Sequence, residues 1–161
     1  MSGKVEQCTA EVKNAWSGAL VGRFDHALDS KKRFTIPSEW RMLMGNPQCV
    51  YVMPDPNEKC LDMVPVAEME VRLAKLREKA LFDPAANRAL QTIGSVSELP
   101  MLDIQGRIRI SDKLLQFANL TTTVAMLGSV RMVKLWDPKA LAPADAVDQA
   151  VLASALQSVE F

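Results

Sequence analysis

Several kinds of chemistry are missing from this chain before any motif is sought. There is one histidine, His26. A Ser-His-Asp relay or a histidine-rich metal site therefore has little support, and a packed or turn-adjacent side chain is the plainer role for it. Cysteine is scarce and odd in number: Cys8, Cys49 and Cys60, with no C-x-x-C spacing. That argues against a disulfide scaffold or zinc ribbon and suits a reducing cytoplasm. Cys49 and Cys60 lie in or beside apolar strands and are expected as buried, inert thiols. No excess of either charge exists, because 19 Lys+Arg balance 19 Asp+Glu. Any contact with a polyanion must come from a local patch. No apolar run approaches the ~18 residues of a membrane span. Lys4, Glu6, Glu11 and Lys13 break up the N-terminus, so it reads as neither signal peptide nor membrane segment. G-x-x-x-x-G-K-[ST], G-x-G-x-x-G and G-x-S-x-G are all missing. Nucleotide-binding and hydrolase readings have no handle, and no catalytic residue, metal, cofactor or small-molecule substrate is expected.

What is present is a globular composition, 48% hydrophobic and 24% charged, and an internal repeat. Leu28-Asp29-Ser30-Lys31-Lys32-Arg33-Phe34-Thr35-Ile36 aligns with Leu102-Asp103-Ile104-Gln105-Gly106-Arg107-Ile108-Arg109-Ile110. Val50–Met53 meets Val124–Leu127 at the same offset, and Leu61–Pro65 resembles Val133–Asp137 after a two-residue slip. Each half predicts a strand (about 21–28 and 98–102), a polar turn, and a second strand (34–36 and 108–110). A short helix follows, started by Pro37-Ser38 or Ser111-Asp112. Two strands come next, near 49–54 and 60–64, and near 122–128 and 131–136. Val66, Met69, Leu73, Leu76 and Ala80 form one apolar stripe of a longer helix, either core or subunit contact. Asp83-Pro84 starts another helix, to about Thr92, and Asp137-Pro138 is expected to do the same in the second half. Residues 144–159 are Ala-rich and read as a packed helix. Residues 1–19 read as a mobile extension, with a short helix around Trp16. Trp40 and Trp136 read as packing anchors.

The chemistry-bearing unit is D-x-x-x-R, found twice at a strand–turn–strand position. Asp29 and Asp103 can accept bonds from turn amides and fix the turn's shape. Arg33 and Arg107 then leave it at a set angle, each offering a planar fork of donors suited to phosphate or to a guanine edge. Taken singly, such a pair is most often a surface salt bridge; its repetition beside Lys31 and Lys32 raises its meaning. Between residues 23 and 41, five bases (Arg23, Lys31, Lys32, Arg33, Arg41) outnumber three acids (Asp25, Asp29, Glu39). Arg23 and Arg109 complete the candidate cations.

Gly22–Pro37, Asp103–Arg107 and Lys134-Leu135-Trp136-Asp137 resemble the MraZ family over about residues 20–140. The resemblance implies an α/β fold of two tandem SpoVT-AbrB-like swapped-hairpin β-α-β-β units, intertwined as a pseudo-two-fold barrel with flanking helices. On that plan the extension is 1–19, the first repeat 20–81, the connecting helix 82–97, the second repeat 98–143 and the C-terminal helix 144–161. It also implies a ring-forming, nucleoid-associated, cytoplasmic transcriptional regulator or repressor. Its partners are other copies of itself and double-stranded DNA, at promoter direct repeats ahead of the division and cell-wall gene cluster. Site by site, Asp29, Lys31 and Arg33 match the first family motif, and Asp103, Gly106 and Arg107 the second. Asp29, Asp103 and Gly106 shape the turns; Lys31, Lys32, Arg33, Arg107, Arg23 and Arg109 are the DNA-binding candidates. Lys32 stands where the family usually has Gly, which costs conformational energy if the turn needs positive φ. An AbrB-type antitoxin that binds DNA and a toxin, or a scaffold ring without DNA binding, are the other readings.

Overall fold

The computed structural model describes residues 18–160. Most of the expected N-terminal extension, with its helix around Trp16, lies outside the described residues. The first half runs β1 (Arg23–Ala27), β2 (Arg33–Thr35), α1 (Ser38–Leu43), β3 (Val50–Pro54), β4 (Leu61–Pro65), α2 (Val66–Ala80) and α3 (Pro84–Val96). The second runs β5 (Arg107–Arg109), α4 (Asp112–Phe117), β6 (Thr123–Gly128), β7 (Val133–Trp136), a 3-10 turn (Pro138–Ala140) and α5 (Gln149–Gln157).

The strands do not pair half by half. The five-stranded sheet has the order β1-β6-β7-β4-β3, and β2 pairs with β5 in a separate ribbon. All five pairings are antiparallel, and three of them join the two halves of the chain: β1 with β6, β2 with β5, β4 with β7. Alternation explains the ribbon. Phe34 and Ile108 lie opposite each other at its centre and are fully buried, while the residues on either side of each face outward. The core lies between ribbon and sheet. Phe34, Ile36, Ile108 and Ile110 meet Val52, Leu61, Met63, Val124, Met126 and Leu135 there, with Trp40, Leu114 and Leu115 of the short helices closing it. The Trp40 indole N–H donates to the Val21 carbonyl at 3.1 Å, and its ring meets Phe24 edge-on at 5.0 Å.

The structure corrects several expectations. Residues 98–102 form isolated bridges rather than a strand, Glu98 with Val52 and Met101 with Cys49. Pro100 in the middle has no N–H to give to a ladder. Asp83 caps α3 as expected, accepting from Ala85 N at 2.9 Å, but Asp137-Pro138 starts only the 3-10 turn. Pro143 lies a little over one turn further on, and its ring would clash with a helical carbonyl. Ser111 caps α4, accepting from Leu114 N, whereas Ser38 is already inside α1 and Pro37 holds the cap without a side-chain bond. The C-terminal segment is helical but not packed: α5 has no buried residue. Trp40 is a packing anchor; Trp136 is only half-buried. Cys60 is a free buried thiol, but Cys49 is disulfide-bonded rather than inert.

Gly128 ends β6 where the chain at Leu20–Val21 crosses it. A Cβ there would lie 2.6 Å from the Leu20 carbonyl oxygen, so only glycine permits the approach.

Candidate nucleic-acid interface

Each D-x-x-x-R segment folds into a turn pinned by its own aspartate. Asp29 Oδ1 accepts the N–H of Lys31 at 2.9 Å and of Arg33 at 2.8 Å, and Oδ2 accepts Arg33 Nε at 2.8 Å. Asp103 repeats this with Gln105 N at 2.9 Å, Arg107 N at 2.9 Å and Arg107 Nε at 2.7 Å. The main chain closes both turns alike: Lys32 N donates to Asp29 O at 2.9 Å, and Gly106 N to Asp103 O at 2.9 Å. The two carboxylates are held below the usual range, chiefly by the backbone N–H of Arg33 or Arg107 and further by the arginine side chain. The surface salt bridge and the positioned arginine are thus one arrangement. The aspartate takes Nε and leaves the terminal guanidinium nitrogens outside that bond.

The third turn residue sits in the left-handed region in both copies, Lys32 at φ 60° and Gly106 at φ 78°. Glycine holds that conformation without strain; lysine does so at a cost. The environments differ too. Lys32 Nζ reaches across to Asp112 Oδ1 at 2.7 Å, and that ammonium holds the Asp112 carboxyl below its usual range. Over Gly106 lies the guanidinium of Arg41, whose Nε donates to Ile36 O at 3.0 Å. A Cβ at residue 106 would come within 2.4 Å of it. Arg41 entered the sequence reading only as local charge; nothing in its spacing tied it to a turn 65 residues away.

The ribbon register brings the turns' arginines onto one surface. Arg33 lies opposite Arg109, Thr35 opposite Arg107, and the buried Phe34–Ile108 pair is the centre of near-symmetry. The two turns therefore stand at opposite ends of the ribbon. Facing like charges destabilise a strand pair; Asp29 compensates Arg33, but Arg109 forms no ion pair among the described residues. Lys31 is exposed on its turn. Arg23 is not brought to this surface: it sits at the end of β1 away from the turn, bound to Asp25 at 2.9 Å and to the Ala142 carbonyl at 2.9 Å. A cleft of about 400 Å³ beside the first turn is lined by Leu28, Lys32, Asp112 and Leu115 among others.

One other cluster has metal-ligand chemistry. Among the described residues, Asp55, Cys60 and Asp62 converge where the β3–β4 hairpin enters β4. Lys134 already fills the place of a cation, with Nζ 2.6 Å from each carboxylate. Burial pushes the Cys60 thiol up to about 12, and the two carboxylates push the same way. Burial also raises Asp62; it acts on Asp55 as well, but there Lys134 and the amides of Asn57 and Glu58 win and hold the carboxyl at about 2.

The chain is 35% identical over 113 residues to the transcriptional regulator MraZ of Pectobacterium atrosepticum, covering 68% of this chain and 74% of that protein. It is 33% identical over 120 residues to that of Mesoplasma florum, covering 74% and 81%. It belongs to the MraZ family. The MraZ of Corynebacterium jeikeium is 30% identical over 123 residues, 76% of this chain and 84% of that one. No protein-family model matches the chain. The MraZ relatives are named as regulators of transcription rather than enzymes, in line with a sequence that offers no catalytic constellation. Among the described residues, no helix is long and apolar enough to cross a membrane.

Proposed function

We propose that this MraZ-family chain is a DNA-binding transcriptional regulator whose contact surface is the outer face of the β2–β5 ribbon with its two turns. The observation that carries this is the duplicated pinned turn. Two arginines, each fixed by an aspartate, share one narrow antiparallel ribbon with Arg109, and Lys31 and Lys32 rise beside it. A two-stranded ribbon fits the major groove, and fixed guanidinium forks suit phosphates or guanine edges. The relatives' names point the same way.

The finer reading is that residues 20–81 and 98–143 are two SpoVT-AbrB-like swapped-hairpin units joined by the 82–97 helix, with flanking segments 1–19 and 144–161. The strand pairings between halves support it. A neutral chain offering a few cations grips DNA weakly; several ribbons in a ring engaging spaced direct repeats convert that into avidity. Exposed apolar side chains supply surface for such association: Val71, Leu81 and Phe82 on the α2–α3 hairpin, and Val147, Val151 and Leu152 near α5. On this reading the protein works in the cytoplasm on the nucleoid, at promoter repeats of the division and cell-wall cluster. The unpacked α5 also favours a second reading, an antitoxin-like protein whose C-terminal helix holds a protein partner.

Fluorescence anisotropy with duplex from upstream of the protein's own gene, against a scrambled duplex and across a salt series, tests the proposal. Selective binding with a slope of roughly −0.9 per phosphate contacted is expected. Arg33→Ala weakens binding most, Arg107→Ala next and Lys31→Ala less, by about 1–3 kcal/mol for each base-reading contact. Unchanged affinity in a folded Arg33→Ala, Arg107→Ala double variant overturns the assignment. Capture of a small ribonuclease by α5, without selective DNA binding, favours the antitoxin reading.

A further inference from the structure

The two turns share a backbone but not a chemistry. The first presents Ser30, Lys31 and Lys32; the second presents Ile104, Gln105 and Gly106 at the same positions. Ile104 is 100% exposed. It stands at the apex of a turn held by four hydrogen bonds to Asp103, so it adds nothing to the packing of the fold. Turn apices ordinarily take Ser, Asn, Asp or Gly, as Ser30 does in the other copy, and a branched aliphatic side chain there is out of keeping with the local backbone. Its neighbours are cations: Arg107 leaves the same turn, and the Arg41 guanidinium lies against Gly106. An apolar tip among positive charges fits a surface that is anionic at its edges and apolar within. The floor of the major groove has that character wherever a thymine methyl is displayed between two phosphate strands. Gln105 beside it is exposed, and a carboxamide sets an N–H donor beside a carbonyl acceptor, the pair that matches N7 and N6 of adenine.

Resting on the DNA-binding reading, we propose that the two turns divide the work. The Ile104–Gln105 turn reads an A·T pair or an A/T step through the thymine methyl and the adenine edge. The Lys31–Lys32 turn grips phosphates without regard to sequence. The strained Lys32 fits this division: a glycine there would relax the backbone but remove one of the two ammonium groups. The near-symmetric ribbon thereby gives its site a direction, with a base-reading tip at the Ile104–Gln105 turn and a phosphate-gripping tip at the Lys31–Lys32 turn.

The test begins with selection of duplexes from a random library by the full-length protein. Single thymidines of the enriched duplex are then replaced in turn by deoxyuridine, which lacks only the methyl. At one position the replacement weakens the native protein about three- to five-fold, the worth of one buried methyl. It leaves Ile104→Ser unaffected. Gln105→Ala relaxes the preference for adenine beside that position by roughly 5- to 150-fold. Neither substitution changes the salt slope. Lys31→Ala with Lys32→Ala does the reverse, lowering affinity for every sequence and flattening the slope by about one per lost phosphate contact. If selection with Ile104→Ser and Gln105→Ala returns the same motif as the native protein, or deoxyuridine weakens both proteins alike, the division of labour is overturned while DNA binding stands. If no duplex is enriched at all, the DNA-binding reading itself fails.

Discussion

At the scale of single residues, five of the described non-glycine residues sit at positive φ, Lys32 and Val130 among them. Lys32 sits at φ 60° and Val130 at φ 66°. A left-handed conformation costs an L-residue roughly 1–2 kcal/mol, and a β-branched one is the least comfortable there. Val130 is kept in place by paired backbone bonds with Leu20, each 2.9 Å. Val130→Gly is therefore expected to stabilise the protein by about 1 kcal/mol, seen as a melting temperature higher by roughly 2–4 °C. Lys32→Gly gains similarly but loses the exposed Lys32–Asp112 pair, worth about 0–1 kcal/mol. Its stability should rise less, while its DNA affinity falls; lower stability in both variants would show that the backbone is unstrained. Asp55 makes a pH prediction. Its folded value of about 2 lies below the ordinary carboxyl value of 3.8, so it stabilises the fold above pH 4. That contribution is lost as pH falls from about 4 to about 2. Burial raises the neighbouring Asp62 and works in the opposite sense. Acid titration followed by circular dichroism should show a shallower stability loss in Asp55→Asn across that window, from a lower starting stability at neutral pH.

Among the elements, the short helices and the last helix contrast. α1 and α4 have six residues each, too few to persist alone, yet Trp40, Leu114 and Leu115 lock them onto the ribbon. α5 has nine residues and buries none. A chain truncated after Pro143 should keep its core melting temperature within ~2 °C, since differences of a few tenths of a kcal/mol move it no further. If α5 contributes to assembly, the same truncation lowers the mass measured by light scattering without unfolding the subunit. A large fall in melting temperature would mean that α5 packs on its own chain. At α3, Asp83→Ala removes the cap on Ala85 N and should cost about 1 kcal/mol.

For the whole molecule, the interleaving of strands decides how it unfolds. β4 is buried along its length between β3 and β7, and β2 packs through Phe34 only because Ile108 lies opposite. Neither half has a closed set of strands by itself. The chain should unfold in one transition by both calorimetry and fluorescence, and a fragment ending at residue 97 should be unfolded or aggregated. Two separated transitions would contradict the interlock. Phe34→Ala should cost about 3–5 kcal/mol and destabilise both halves together.

Much of the fold was legible because it is local or repeated. The repeat fixed the equivalence of Asp29 with Asp103 and of Arg33 with Arg107, and runs of β-branched and aromatic residues between turn signals placed β2 through β7 close to where they lie. Asp83-Pro84 marked the start of α3 through capping chemistry that needs only neighbours. What sequence could not give depends on which strand each segment meets. The failure of 98–102 to form a full strand follows from Pro100 facing β3, and the placing of Arg41 over Gly106 from contacts 65 residues apart. Arg23 illustrates the same limit: its charge was visible, but Asp25 and Ala142 claim it only in three dimensions. Spacing by itself determined that the chain is a duplication of strands and helices with an aspartate-to-arginine turn in each half. Only tertiary structure decided that those turns stand at opposite ends of one ribbon, because strand register is set by burying Phe34 against Ile108 and not by any local preference.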